Sequence, residues 1–178
     1  GTKIINDLKL NNLEFIKCDL SEKKEIYNLS QKLNKLDKID VLLNNAGAIF
    51  SKRHINSDNI EKTFALNHLS YFHLSMYLLK SLEKSPNGKV INVASNAHKR
   101  YLLDLDDLEN KNNYSGWKSY CRSKLLNIYF TYNFNKKLNT KVTCNCLHPG
   151  FVNSNFGNNN VSIFRFTINI LKNFLAIT

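Results

Sequence analysis

The sequence predicts an α/β fold built on an open parallel sheet with helices on both faces. Short apolar runs rich in β-branched residues alternate along the chain with segments of helical length, which is typical of strand–helix–strand units with right-handed crossovers. Polar residues follow four of the apolar runs, at Asp19, Asn45, Ser95 and His148. Because ligands of such sheets bind beyond the carboxyl ends of the strands, these positions predict one shared site.

The first half of the chain predicts two strands and two helices. The first helix has Ser21 as its N-cap, because a serine hydroxyl accepts hydrogen bonds from the free amides at a helix start. The second strand is a continuous aliphatic run, which is typical of a strand buried on both faces. The elements span residues 13–18 (first strand), 21–36 (first helix), 39–43 (second strand) and 57 or 58 to 83 (second helix).

The second half repeats the alternation after a turn at Pro86-Asn87-Gly88. Its elements are a strand over 89–94, an acidic loop over 96–113, a helix over 114–138, a strand over 142–147, and a loop at 158–160 before a last helix over 161–177. The last helix reads as amphipathic, so contact with a membrane surface is an alternative to ordinary packing.

Length and composition indicate one globular domain. The chain has 178 residues, 43% of them hydrophobic, and a formal net charge of +11, and a chain of this size buries a sizeable core. The charge comes mostly from scattered lysines, which suit neither bidentate base recognition nor a phosphate-tracking groove. Nucleic acid is therefore not an expected partner.

The four cysteines predict neither a metal site nor a disulfide framework. Cys144 and Cys146 lie two apart in a strand, so both point to one face. Reduced thiols and the lack of a signal peptide favour an intracellular protein. No apolar run reaches the roughly 18 residues of a spanning helix.

The stretch Tyr120-Cys121-Arg122-Ser123-Lys124 contains the main candidates for catalysis. Tyr120 and Lys124 are four residues apart, so on a helix both side chains leave the same face. A lysine ammonium beside a phenol favours the phenolate, so we expect a lowered pKa for Tyr120 and a proton available for transfer. The alternative is a solvated helix face with an ordinary tyrosine.

Three further motifs end apolar runs: Asn44-Asn45-Ala46-Gly47, the run from Val90 to Ser95, and His148-Pro149-Gly150. Together with the Tyr120–Lys124 pair, this ordered set resembles the short-chain dehydrogenase/reductase family. The spacing from Ser95 to Tyr120 resembles most its retinol-dehydrogenase-like branch. The resemblance implies a single, incomplete dinucleotide-binding domain over 1–178. Its fold would be a partial Rossmann-type doubly wound sheet that lacks the family's first two strands and C-terminal strand.

The resemblance also implies roles for individual residues. Tyr120 would be the acid/base, Lys124 would hold the cofactor ribose, Ser95 would bond the substrate oxygen, and Asn67 would interrupt a helix and hold a water in a proton relay to Lys124. Asp19 would accept a hydrogen bond from the adenine amino group, and the loop after His148 would receive the nicotinamide carboxamide. The implied cofactor-binding residues are Asp19, Leu20, Asn45, Ala46, Gly47, Tyr120, Lys124, Pro149, Gly150, Val152 and Ser154.

Ordinary structural roles remain open for several of these residues. Ser95 suits a cap after a strand, Asp19 suits an N-cap beside Ser21, and Gly47 suits a turn with positive φ. Asn67 suits a local hydrogen bond. Ser119 and Ser123 are rivals of Ser95, although packing of the helix is the simpler role for both.

The implied function is an NAD(P)-dependent oxidoreductase (EC 1.1.1.-) that interconverts an alcohol and a carbonyl, with a retinol-like or other lipophilic substrate. NADP is favoured, with NAD as the alternative. No glycine lies between Gly1 and Gly47, so nothing matches the family's Gly-rich phosphate-binding turn, and we expect the 178-residue chain alone to be inactive. The rival interpretation is an inactive dehydrogenase fold that acts as a binding or scaffold module. A cytoplasmic location and peripheral association with the endoplasmic-reticulum membrane both remain open.

Overall fold

The computed structural model describes residues 12–138 and 141–150. Three strands of this part of the chain form one parallel sheet in the order β1-β2-β3, with Leu42 opposite Val90 and Val90 opposite Cys144. The strands are β1 (Val41–Asn44), β2 (Gly88–Val93) and β3 (Val142–Leu147). The parallel α/β class is as predicted.

Three helices accompany the sheet within residues 12–138 and 141–150. They are α1 (Lys23–Leu33), α2 (62–83) and α3 (Gly116–Asn135). Helix α2 has an α-helical first turn (Lys62–Phe64), a π-helical turn (Ala65–Leu69) and a longer α-helical part (Ser70–Glu83). A short 3-10 turn, Asn96–Lys99, follows β2 inside the segment predicted as a loop.

The core lies on one face of the sheet. All three helices contribute to it, and it is formed by Ile26, Leu74, Leu78, Leu82, Val90, Phe134, Val142 and Cys144. Moving from β1 to β2 to β3 in one direction with right-handed crossovers places both connecting helices on the same face. Helices were predicted on both faces of the sheet. In the part of the chain that the structure describes, the two connecting helices α2 and α3 lie on one face.

The prediction that the second strand is buried on both faces is wrong for the described part of the chain. Leu42 packs against the core, whereas its neighbours Val41 and Leu43 are 53% and 58% exposed. Alternate residues of a strand point to opposite faces, so the face that carries Val41 and Leu43 is the one that no described helix covers.

The predicted first strand, 13–18, is also absent. This segment has no ladder of hydrogen bonds to any described strand. A strand needs a neighbour to satisfy its backbone, and the described sheet ends at β1 on this side. Among the described residues, no helix is long and apolar enough to cross a membrane, and no cluster of potential metal ligands occurs.

The start of α2 differs from the predicted position near Ser57. The side chain of Asn56 accepts hydrogen bonds from the amides of Asp58 and Ile60, which makes residues 56–60 a turn. The helix begins later because the buried Glu61 carboxylate caps it, accepting 2.8 Å hydrogen bonds from the amides of Thr63 and Phe64. A glutamate is not a preferred N-cap, so the sequence pattern favoured the earlier serine.

Replacing Glu61 with alanine is expected to lower the free energy of unfolding by about 3–5 kcal/mol, since it removes a fully buried carboxylate and leaves its donors unpaired. Those donors include the Tyr114 hydroxyl, 3.0 Å away. Urea denaturation of the full-length protein measures the loss. Glu61→Gln keeps one acceptor oxygen and should lose clearly less, and equal stability of Glu61→Ala and wild type would contradict this role.

Candidate active site

Tyr120 and Lys124 lie together on the buried face of α3, as their spacing predicts. Ser115 caps this helix by accepting a hydrogen bond from the Lys118 amide. Tyr120 is 8% exposed and Lys124 only 3%. The Lys124 Nζ atom lies 5.7 Å from the centre of the Tyr120 ring and donates a 2.8 Å hydrogen bond to the Val93 carbonyl at the end of β2.

The predicted pKa shift of Tyr120 is wrong in direction. Burial raises the pKa of Tyr120, and a hydrogen bond with the Ser95 side chain opposes this only in part. Burial also lowers the pKa of Lys124 to about 8, although the nearby Cys146 acts in the opposite direction. Spacing alone predicts the proximity of the two groups but not the desolvation that dominates both pKa values.

Ser95 follows β2 and faces Tyr120. Its hydroxyl accepts a 3.2 Å hydrogen bond from the Ala97 amide, so it caps the 3-10 turn, and it also bonds Tyr120. The capping role and the proximity to Tyr120 are therefore both present. The rival serines pack the helix: Ser119 accepts from Asn110, and Ser123 donates to the Tyr120 carbonyl.

Asn67 lies in the π-helical turn of α2, so it does interrupt the regular helix. Its side-chain oxygen accepts a 2.8 Å hydrogen bond from the Ala48 amide, and its side-chain nitrogen donates to the Ala48 carbonyl at 2.9 Å. The same nitrogen donates to the Ser123 hydroxyl at 3.1 Å. Its main-chain carbonyl accepts from Asn127. Asn67 thereby ties the segment after β1 to both α2 and α3. A water relay through this residue stays a prediction.

Gly47 lies between these groups. A Cβ atom added there would come within 3.3 Å of the Asn67 Oδ1 atom and 3.5 Å of the Lys124 Nζ atom. Among the described glycines only Gly150 has a positive φ, of 76°. The expected role of Gly47 in a turn with positive φ is therefore wrong, and close approach of the backbone is what requires glycine here.

Three of the predicted cofactor residues line one cavity of about 460 Å³. Asp19 and Leu20 form one side and Ala46 another, next to Leu66. The Asp19 carboxylate accepts hydrogen bonds from the amide and hydroxyl of Ser21, and these bonds lower the pKa of Asp19. Ser21 therefore donates hydrogen bonds to Asp19 and is not the N-cap of α1. That helix begins at Lys23, after Glu22 in an extended conformation.

The remaining predicted residues are more scattered. Asn45 is exposed beyond β1, and Pro149 and Gly150 are exposed beyond β3 at the same edge of the sheet. Val152 and Ser154 lie outside the described residues. The structure therefore brings Ser95, Tyr120, Lys124, Asn67 and Gly47 into one group, with the Asp19 cavity beside Ala46.

The sequence interpretation missed a buried polar row beneath this group. Asn44 donates to Asn92 at 2.8 Å, and Asn92 donates to Thr131 at 2.9 Å. Asn44 is nearly buried and Asn92 is fully buried, and both lie near the carboxyl ends of apolar strands. A polar residue within an apolar run was the sequence feature that could have predicted these hydrogen bonds. The row joins β1, β2 and α3.

A second missed residue is Arg122, which points away from Tyr120. Its guanidinium is nearly buried and donates to the Leu102 and Asp107 carbonyls and to the Asn110 side chain. Arg122 thereby fixes the loop between Ser95 and Tyr120 to the helix that carries Tyr120. A charged residue two positions after a tyrosine gives no sequence signal of such a contact.

A parallel sheet with buried polar groups at its carboxyl edge defines an α/β protein of the Rossmann type. The profile of the short chain dehydrogenase family matches residues 2–162, and the chain belongs to this family. Human retinol dehydrogenase 14 is 34% identical over 158 residues, which are 88% of this chain and 44% of that protein. The predicted resemblance to the retinol-dehydrogenase-like branch is confirmed, and the chain spans less than half of that relative.

Solved structures agree with this assignment. A 7α-hydroxysteroid dehydrogenase complexed with NADH and 7-oxo glycochenodeoxycholic acid has a TM-score of 0.63 and 25% identity, covering 85% of this chain and 57% of that one. The Pseudomonas aeruginosa RhlG/NADP active-site complex has a TM-score of 0.58 and 25% identity, covering 76% and 52% of the two chains.

Proposed function

We propose that the full-length protein is an NAD(P)-dependent oxidoreductase that interconverts an alcohol and a carbonyl. The observation that carries this proposal is the buried Tyr120, which is hydrogen-bonded to Ser95 and lies beside Lys124 at the carboxyl edge of the sheet. A phenol and a hydroxyl in this arrangement can bind one oxygen atom, and the phenol can exchange a proton with it, while the ammonium is placed to hold a neighbouring group.

Several described residues suit the adenine and ribose parts of a nicotinamide dinucleotide. The cavity beside Asp19, Leu20 and Ala46 suits the adenine end, and the missing side chain of Gly47 leaves room for close approach beside Lys124. Lys124 would hold the ribose, and Pro149 and Gly150, with Val152 and Ser154, would receive the nicotinamide end. When bound, the nicotinamide accepts or supplies the hydride.

The residues of the chain handle the proton and the oxygen. In the reduction of a carbonyl, Ser95 and Tyr120 donate hydrogen bonds to the substrate oxygen, and Tyr120 transfers its proton as the alkoxide forms. In the oxidation of an alcohol, Tyr120 as phenolate removes the hydroxyl proton. Because burial raises the pKa of Tyr120, the neutral phenol is favoured before ligands bind. This favours the protonated state that reduction requires.

Comparison with relatives supports a lipophilic substrate. One relative is named for retinol, and a structural neighbour was solved with a 7-oxo bile acid conjugate. We infer the same class, a bulky and mostly apolar alcohol or carbonyl, for the full-length protein. NADP is the proposed cofactor, on the resemblance to the retinol-dehydrogenase-like branch and a net charge of +11 that does not oppose an additional phosphate.

The direct test is the oxidation of NADPH by the full-length protein with retinal as the substrate, followed by absorbance. We expect turnover, with kcat/KM higher for NADPH than for NADH. A preference for NADH would overturn the cofactor choice alone. Binding of the cofactor without turnover of retinal or any of a panel of apolar aldehydes would favour the binding-module alternative.

A further inference from the structure

Trp117 shares the face of α3 that carries Tyr120 and Lys124. The three residues are spaced i, i+3 and i+7, which places them along one side of a helix. The Trp117 and Tyr120 rings are stacked, with centroids 5.7 Å apart and an interplanar angle of 25°. Trp117 is 39% exposed, whereas Tyr120 is 8% exposed. The indole therefore covers the tyrosine ring and leaves much of its own surface uncovered.

The turn of α3 that carries this indole is closely packed against the chain. The neighbouring Gly116 is buried, and a Cβ atom there would lie 2.0 Å from the Phe50 carbonyl oxygen. The first turn of α3 is thus pressed directly against the backbone at Phe50, and Ser115 caps it. A side chain on such a supported turn is well suited to hold a ligand in one orientation.

We propose that Trp117 is a specificity-determining residue, which forms an aromatic wall beside Tyr120 and contacts the apolar part of the alcohol or carbonyl substrate. This inference rests on the proposed function. A large aromatic surface binds apolar groups by burial and by contact with its face. A substrate whose oxygen meets Tyr120 has its carbon skeleton within reach of the stacked indole. Bulky apolar substrates should depend on this wall, and small ones should not.

The kinetic test compares farnesal with propanal in the full-length protein. We expect Trp117→Ala to raise KM for farnesal about tenfold, in the range of a lost apolar contact, with kcat little changed. KM for propanal should stay within about twofold of wild type, and Trp117→Phe should restore most of the affinity for farnesal. The control is Tyr129→Ala, which removes an aromatic side chain that is 49% exposed farther along α3.

A binding test separates this inference from the proposed function. Trp117 is the only tryptophan among these 178 residues, so we expect farnesol to change the fluorescence of the full-length protein, and the part of this change that is lost in Trp117→Phe reports on Trp117. Saturable quenching without turnover of farnesal, retinal or any of the panel of apolar aldehydes would contradict the proposed function and support the wall. An equal rise in KM for farnesal and propanal in Trp117→Ala would overturn the inference, since it would mean that Trp117 only supports the position of Tyr120. Turnover of farnesal that is insensitive to Trp117→Ala, or no fluorescence change with farnesol, would also overturn it.

Discussion

Tyr120→Phe should reduce kcat/KM for carbonyl reduction about a thousandfold, in the range that general acid catalysis contributes. The substitution removes only the hydroxyl that donates the proton. Because Tyr120 is almost fully buried and phenylalanine keeps its ring, the packing against Ile49, Ala97 and Cys121 should survive. The loss of the hydrogen bond to Ser95 should cost about 1 kcal/mol of stability.

Tyr71→Phe is the matched control for this substitution. Tyr71 is buried, and its ring centre lies 5.4 Å from the Lys124 Nζ atom, but its hydroxyl donates to the Ala46 carbonyl. We expect Tyr71→Phe to keep kcat/KM within about tenfold of wild type, since the cost is one hydrogen bond. If Tyr120→Phe also kept activity within that range, Tyr120 would not be the acid/base.

Lys124→Met should have the second large effect, a loss of activity without a matching loss of stability. Without its ammonium, the site loses the group proposed to hold the cofactor ribose. In the folded protein, burial of that ammonium is costly, as the lowering of its pKa to about 8 shows. Methionine removes this cost and also removes the hydrogen bond to the Val93 carbonyl. The two changes partly cancel, so the free energy of unfolding should stay within about 2 kcal/mol of wild type.

The difference in the free energy of unfolding between wild type and Lys124→Met should depend on pH, and this dependence tests the buried lysine directly. Lys124 has a pKa of about 8 in the folded protein, against a usual value of 10.5. Below pH 8 both states bind the proton and the cost of burial is constant. Between about pH 8 and 10.5 the unfolded chain binds more protons, so stability of the lysine protein rises relative to Lys124→Met. Urea melts at pH 7 and pH 10 should show a relative gain of roughly 2–3 kcal/mol. An unchanged difference would contradict a lowered pKa.

Periodicity and strand-end polarity were enough to predict which of several polar side chains lie close together in the candidate site. The runs that became β2 and β3 lie within a residue or so of their predicted bounds. The spacing of Tyr120 and Lys124 predicted their proximity because a helix fixes which side chains share a face. Ser95 was placed by the end of its strand.

The rest depended on contacts between distant segments. Residues 13–18 have strand composition, but a strand forms only where a neighbour supplies hydrogen bonds. Two of these contacts join distant residues: Arg122 and the Leu102 carbonyl are 20 residues apart, and Asn44 and Asn92 are 48 apart. The cap by Glu61 is local, but it depends on the burial of that carboxylate. The sign of the Tyr120 pKa shift likewise depends on how much of the site is buried, which spacing does not predict.

The central claim is that this chain contains the site of hydride transfer to or from an alcohol or carbonyl carbon. The most direct measurement uses NADPH deuterated at C4 of the nicotinamide ring in each of its two stereoisomeric forms, full-length protein and retinal, with mass spectrometry of the retinol formed. We expect one deuterium at the carbinol carbon with one of the two isomers, and loss of this product in Tyr120→Phe. Formation of retinol without deuterium from either isomer, or no retinol or other alcohol from any apolar carbonyl substrate, would contradict the account.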